Sequence, residues 1–427
     1  MAHSFKFQNN FRLGVATAST QIEGSAPASN WLTWAEQGHI KDGSSPTNAG
    51  GHWKKWKEDA NLMQKMGLQI YRMSIDWARV EPEPHHFDTQ VLQRYLDEIL
   101  YLKKVGIETL VTLHHFSNPK WFEEIGGWAK KANAKYFLEF AEKTVELLYP
   151  QVQEFVTFNE PNVYTVFGYF YGDFPPGKKS LWLTSRVLSV LAATHIRLYI
   201  VLHQRYPNIK IGIAHHLRVY RAKRLWNPFH HLFKFGIKHF FNTTISKAFV
   251  LGRFGLFIRN LGHFPRGEYA DFWGINYYSR STVSSFADGV KQPAPINDLG
   301  WEIYPKGIAQ VCKTAYRLLP RPLFITENGT CDNRDTFRSK YLYDHLRVIA
   351  KAQAKLPIER YYHWCFCDNF EWLEGESARF GLVHMDYTSQ KRTIKSSGKF
   401  FSKIISQHGV NERMYAKYAK KQVYPTN

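Results

Sequence analysis

Two stretches of this 427-residue chain end an apolar run on a carboxylate with a carboxamide beside it. In Glu154–Asn162, E-F-V-T-F-N-E-P-N, the run Phe155–Phe158 is long enough for a buried parallel strand. Pro161 has no amide hydrogen for a ladder and biases the residue before it toward extended backbone. The strand is therefore expected to end at Asn159 and Glu160. Leu323–Gly329, L-F-I-T-E-N-G, repeats the design and ends on Glu327 beside Asn328. A single glutamate at a strand end is ordinarily a surface group. Two of them, each with an amide neighbour, point to paired-carboxylate chemistry.

The elements needed to bring the two together are legible along the chain. Strands are expected at Phe11–Thr17, Ile70–Ile75, Thr109–His115, the Glu154 stretch, Ile209–Ala214, Asp271–Tyr278, the Leu323 stretch and Tyr361–Asp368. Helical spacing falls between them, at Trp53–Met66, Leu92–Val105, Phe137–Leu148, Leu183–Gln204, Ile308–Leu318 and Tyr341–Ala354. Eight strands alternating with helices, without linker or low-complexity segment, predict an α/β fold: a single (β/α)8 TIM barrel over 1–427. Its chemistry belongs at the C-terminal ends of the strands. Polar residues gather at those ends: Gln21, Arg72, His115, Asn159 with Glu160, Asn276, Glu327, and Asp368 to Trp372.

Composition is that of a globular protein, with 44% hydrophobic and 16% aromatic residues, the latter suited to stacking on sugars or bases. No apolar run of 18 residues and no hydrophobic signal core is seen, so neither a membrane span nor a secretory leader is expected. Four late, unevenly spaced cysteines make no disulfide framework, and a reducing, cytoplasmic setting is expected. Cys365 and Cys367 form a C-x-C pair without further ligand partners nearby, which reads as buried packing rather than a metal site.

The stretches F-R-L-G-V-A-T-A-S-T-Q-I-E-G, Y-R-M-S-I-D-W-A-R-V, T-F-N-E-P, G-Y-F-Y-G-D-F-P-P-G, G-I-N-Y-Y, I-T-E-N-G and D-N-F-E-W, in this order, resemble glycoside hydrolase family 1, the retaining β-glycosidases. The likeness covers nearly the whole chain. It implies Glu160 as acid/base and Glu327 as nucleophile, two carboxyls roughly 5 Å apart whose pKa values are pushed apart. Arg72, Tyr278 and Asn276 are expected to support the nucleophile. Gln21, His115, Asn159, Glu371 and Trp372 are expected to ring the sugar over Trp364, while His114 turns to the other face. Glu371 stands where members acting on 6-phosphoglycosides resemble a serine, so the likeness implies an unphosphorylated sugar. A β-glucoside is expected, with β-galactosides and β-fucosides as related substrates, and no cofactor. Hydrolysis and transfer to another acceptor share the same intermediate, and a barrel that only binds sugar or lipid is the contrasting alternative. H-F-S-N at 115–118 replaces the commoner H-W-D-L.

The net charge of +20 is unevenly spread. From Phe174 to Gly267 there is no Asp or Glu, against sixteen Lys and Arg. Within this basic segment, 174–267, Phe229–Val250 carries an apolar helical stripe with lysines off it. An ordinary barrel helix with a solvated basic face is one reading. An anionic membrane surface that presents a glycolipid to the glutamates is the other. Nucleic acid is disfavoured, since no binding module accompanies the charge.

Overall fold

The computed structural model describes residues 3–285 and 288–427. Its centre is a closed barrel of eight parallel strands. We number them β1 Arg12–Ala16, β2 Ile70–Ser74, β3 Glu108–His114, β4 Glu154–Asn159, β5 Lys210–His216, β6 Phe272–Asn276, β7 Leu323–Asn328 and β8 Ile358–Trp364. Each pairs with its sequence neighbour, and β8 closes on β1. The strands are buried along most of their length because helices cover one face and the packed interior the other. All five residues of β2, for example, are buried.

The covering helices are α1 His52–Lys65, α2 Thr89–Lys104, α3 Ala134–Leu148, α4 Leu181–Arg205, α5 Pro228–Lys238, α6 Ile245–Leu251, α7 Lys306–Leu318, α8 Arg338–Ala352 and α9 Ser396–Gln407. In α3 the buried residues are Phe137, Phe140, Ala141, Thr144, Val145 and Leu148, the spacing of one helical face. Each of its large apolar side chains gains roughly 1.5–3 kcal/mol on leaving water. Asp88 caps α2 by accepting from the amides of Gln90 and Val91.

Three expectations change. α4 is long and apolar enough to cross a membrane by length and composition, contrary to the sequence reading, but 61% of its most apolar window is buried in the protein. It faces the barrel as an ordinary covering helix. The helix expected over Phe229–Val250 exists, but a π-helical turn at His239–Thr244 separates α5 from α6. That wider turn shifts the helical phase, so α6 buries Ile245, Ala248 and Phe249 while α5 buries no residue completely. Finally β8 ends at Trp364, not Asp368. Asp368 is fully buried and held by Lys395 at 2.6 Å and Arg379 at 3.1 Å, so it ties the chain behind β8 to the barrel.

Candidate active site

The C-terminal ends of the strands enclose a cleft of about 660 Å³ whose lining includes Glu160, Glu327, His115, Asn159 and Tyr278. β4 and β7 deliver the two glutamates. β7 ends at Asn328, and Gly329 lets it close on β8, since a Cβ there would lie 1.8 Å from the Trp364 carbonyl oxygen. Glu160 departs from expectation: its backbone is left-handed, at φ 42° and ψ 57°, rather than extended. The strand ends one residue earlier, at Asn159, and Pro161 opens a short helix, Pro161–Thr165. A left-handed non-glycine residue costs on the order of 1–2 kcal/mol. The Glu160 amide donates to the Ala214 carbonyl at 2.7 Å, and its carbonyl accepts from Tyr164 at 2.9 Å. Phe116 and Trp372, which also line the cleft, are left-handed too.

Glu327 receives two donors. Arg72 Nη1 lies 2.6 Å from Oε1, and the Tyr278 hydroxyl donates to Oε2 at 2.7 Å. Arg72 is fully buried and fixed from three sides, with Nε on Thr112 Oγ1 at 3.0 Å and Nη2 on Asn159 Oδ1 at 2.7 Å. Asn276 was expected beside Glu327 but turns the other way. Its Nδ2 donates to Glu160 Oε1 at 2.8 Å and to Asn159 Oδ1 at 3.0 Å, while its Oδ1 accepts from Thr326 at 2.7 Å. One hydrogen-bonded relay therefore runs Glu327–Arg72–Asn159–Asn276–Glu160.

A residue missed by sequence reasoning completes the Glu160 environment. His216 Nδ1 lies 2.9 Å from Glu160 Oε1, and Arg218 Nε donates to His216 Nε2 at 2.8 Å. Because the guanidinium can only donate, Nε2 must accept, so the ring proton sits on Nδ1 and points at Glu160. Oε1 thus takes two hydrogen bonds, and Oε2 takes none from the described residues. The missed signal was a second strand ending in paired histidines. His215–His216 on β5 repeats His114–His115, where alternation sends one ring into the cleft and the other outward. His114 and His215 are the outward pair, bonded to Asn118 and Ser246 and held neutral by burial, at about 4 and about 3.

Electrostatics couples the carboxyls. Burial and the charge of Glu160 push Glu327 up to about 7, against the opposing pull of Arg72 and Tyr278. Burial alone would raise Glu160 as well, but His216, Asn276 and the Arg218 charge outweigh it and lower it. Near neutrality the pair therefore holds one proton between its members.

The remaining expected residues surround the same space. Since Arg72 and Asn276 both donate to Asn159 Oδ1, its Nδ2 is the donor to His115 Nε2 at 3.0 Å. His115 is held neutral by burial and the Arg72 charge, with its proton on the opposite nitrogen. Gln21, on the short helix Ser19–Ile22, donates to Phe370 O at 2.9 Å and Glu371 Oε2 at 3.3 Å. Its Oε1 is buried with no donor among the described residues, an acceptor that a hydroxyl can satisfy. Trp364 Nε1 donates to Glu371 Oε2 at 3.3 Å, and burial pushes Glu371 up to about 8. Trp364 and Trp372 both line the cleft, whereas Phe366 and Phe370 are core. Cys365 and Cys367 are buried free thiols, Cys365 Sγ donating to the Cys367 carbonyl at 3.0 Å.

A parallel barrel carrying two coupled, buried carboxyls and a ring of hydroxyl-matching groups at its strand ends has the make-up of a glycoside-cleaving enzyme. The comparisons agree. The model of Glycosyl hydrolase family 1 matches residues 3–244 and 266–410. Beta-glucosidase A of Thermotoga maritima is 32% identical over 95% of this chain and 99% of its own length. The solved beta-glycosidase from Pyrococcus horikoshii superposes with a TM-score of 0.90 at 31% identity, covering 98% of this chain and 100% of the other. The chloroplastic galactolipid galactosyltransferase SFR2 of Arabidopsis thaliana is 28% identical over 91% of this chain and 62% of its own length. The chain belongs to glycosyl hydrolase family 1 and is a glycoside hydrolase with the TIM barrel fold.

Proposed function

We propose that the chain is a retaining β-glycosidase acting on unphosphorylated β-glucosides, with Glu160 as acid/base and Glu327 as nucleophile. The observation that carries this reading is the asymmetric support of the two carboxyls. Burial beside a charged Glu160 raises Glu327, but Arg72 and Tyr278 occupy both its oxygens and favour charge there, so the pair's shared proton has no open oxygen on Glu327. Glu160 has one oxygen tied by His216 and Asn276 and the other available to carry a proton. A glycosidic oxygen resting on Glu160 Oε2 takes that proton as its bond to C1 breaks, and a Glu327 oxygen bonds C1. Once esterified, Glu327 no longer opposes ionisation of Glu160, which removes a proton from water as the water displaces Glu327. The alcohol and the sugar leave, and both carboxyls return to their starting states.

Asn159 and His115, bonded to each other on the cleft wall beside Glu327, are suited to the sugar's hydroxyls, with Trp364 as stacking floor and Trp372 beside it. Gln21 and Glu371 suit hydroxyls at the far side of the ring, and a carboxyl at 371 is a poor host for a phosphate. The preference for glucose follows the T. maritima relative's name, with β-galactosides and β-fucosides as further substrates. The likeness to a galactosyltransferase supports a second reading, transfer of the glycosyl unit to an alcohol or lipid.

Turnover of 4-nitrophenyl β- and α-glycosides by wild type, Glu160→Gln and Glu327→Gln tests the proposal. β-Glucoside turnover that collapses in both variants is expected, and Glu160→Gln retains more activity on this good leaving group than on alkyl glucosides. Folded protein that cleaves no β-glycoside, or prefers the α-anomers, overturns it.

A further inference from the structure

Beside the cleft lies a second cavity of about 560 Å³ with a different character: its lining is almost wholly apolar, including Phe170, Leu181, Leu232, Ile237 and Phe257. Phe167 and Arg218 line both it and the cleft, so the two spaces adjoin at the barrel's catalytic face. α5 forms one wall. Phe233 and Ile237 pack against the protein core, while Phe229, Leu232 and Phe235 are exposed by 68%, 66% and 65%. Trp226, just before the helix, is 75% exposed, and Leu181 and Trp182 open α4 on the surface nearby. Large side chains gathered in this way cost free energy in water and mark a surface that meets something apolar.

Charge identifies the partner. Lys223, Arg224, Lys234 and Lys238 stand among these side chains, inside a segment with no acidic residue from 174 to 267. A second protein surface would ordinarily need acidic partners in its rim, and a nucleic acid offers no medium for exposed leucine and phenylalanine. Both features are met by an anionic bilayer, where basic groups face phosphates and the apolar side chains enter the acyl boundary.

We propose that α5 and its flanks dock the enzyme on an anionic lipid membrane, and that the adjoining groove takes the apolar chain of a lipid β-glycoside whose sugar occupies the cleft. This deepens the glycosidase reading and rests on it for the substrate. The membrane would supply the substrate at the level of the headgroups, with the chain leaving the cleft past Phe167.

Two variants of the 427-residue chain separate the parts. Phe229→Glu/Phe235→Glu changes exposed side chains that do not line the groove and is expected to weaken co-sedimentation with phosphatidylglycerol vesicles by at least about tenfold. Wild type is expected to bind these vesicles, to be released by salt, and to ignore pure phosphatidylcholine. Gly236 lines the groove and has open space where a Cβ would sit, so Gly236→Trp fills the groove without a clash at its base. It is expected to lower kcat/KM for dodecyl β-glucoside at least about tenfold while sparing 4-nitrophenyl β-glucoside. Wild type that fails to bind phosphatidylglycerol vesicles overturns the docking surface. So does a concentration-dependent dimer that Phe229→Glu/Phe235→Glu disperses, since a second copy then covers the face. Equal loss on both glucosides, or no loss, in Gly236→Trp overturns the groove assignment. Failure of wild type on every soluble β-glycoside defeats the glycosidase reading instead, and vesicle binding still reports on the surface.

Discussion

Replacing His216 by phenylalanine removes one hydrogen bond from Glu160 while keeping a ring in the same place. The imidazole lies parallel to Tyr278, 5.9 Å between centroids, and edge-on to Phe241 at 6.2 Å, contacts a phenyl ring preserves. What is lost is the Nδ1 donor to Oε1 at 2.9 Å, leaving Asn276 at 2.8 Å as the remaining donor. A hydrogen bond to a charged group contributes roughly 1.5–3 kcal/mol, which corresponds to about one to two pKa units. Because His216 stabilises the charged form of Glu160, its removal raises the proton affinity of the pair. The alkaline limb of kcat/KM, expected near 7 in the wild type, should move up by roughly one to two units. A pH series on an alkyl β-glucoside, which needs the acid, reads this directly. The matching series with a 4-nitrophenyl glucoside should shift less in its first step. A limb that stays in place while activity drops evenly at all pH values would refute the reasoning and leave His216 as packing.

Other consequences follow from the same geometry. Arg72→Met strands Glu327 in a buried site, and breaking such a pair costs about 3–5 kcal/mol, so turnover should fall by at least about a hundredfold with a lowered Tm. In the wild type, kcat/KM should fall about tenfold per pH unit above about 7 as the pair loses its shared proton, which a pH–rate profile checks. His52 is buried between Asp59 and Glu98, both at 2.8 Å. Burial lowers its pKa, but the Glu98 charge and the hydrogen bonds outweigh it and raise the group to about 9. Its contribution to stability is complete below the ordinary histidine value of about 6.5 and lost as pH rises through about 9. Wild-type Tm should therefore drop more between neutral and strongly alkaline pH than that of His52→Gln.

Much of the barrel was readable because each strand is a short apolar run bounded by turn residues, and buried parallel strands need little else. Gln21, Arg72, His115, Asn159 and Glu371 could be assigned to one mouth since strand order determines which ends meet, whereas Tyr278 was placed through the family resemblance. Side-chain direction within that mouth was less legible. Asn276 was assigned to the wrong glutamate because its partner depends on an amide rotation set by Thr326 and Asn159. His216 was lost when β5 was ended at Ala214, two residues short, since histidine does not extend an apolar pattern. The left-handed backbone of Glu160 goes against the local preference before proline, and the hydrogen bond from its amide to Ala214 on β5 helps to hold it there. The exposed face of α5 was hidden by a stripe that reads as continuous until the π turn divides it.

The central claim is that Glu327 forms a bond to the sugar and Glu160 does not. Incubation with a 2-deoxy-2-fluoro-β-glucoside carrying a good leaving group slows both steps, and the intermediate accumulates when turnover of that intermediate is slowed more. Intact and peptide mass spectrometry should then find one fluoroglucosyl unit, on the peptide that carries Glu327. An adduct on Glu160, or none in protein that still turns over β-glucosides, would contradict the account.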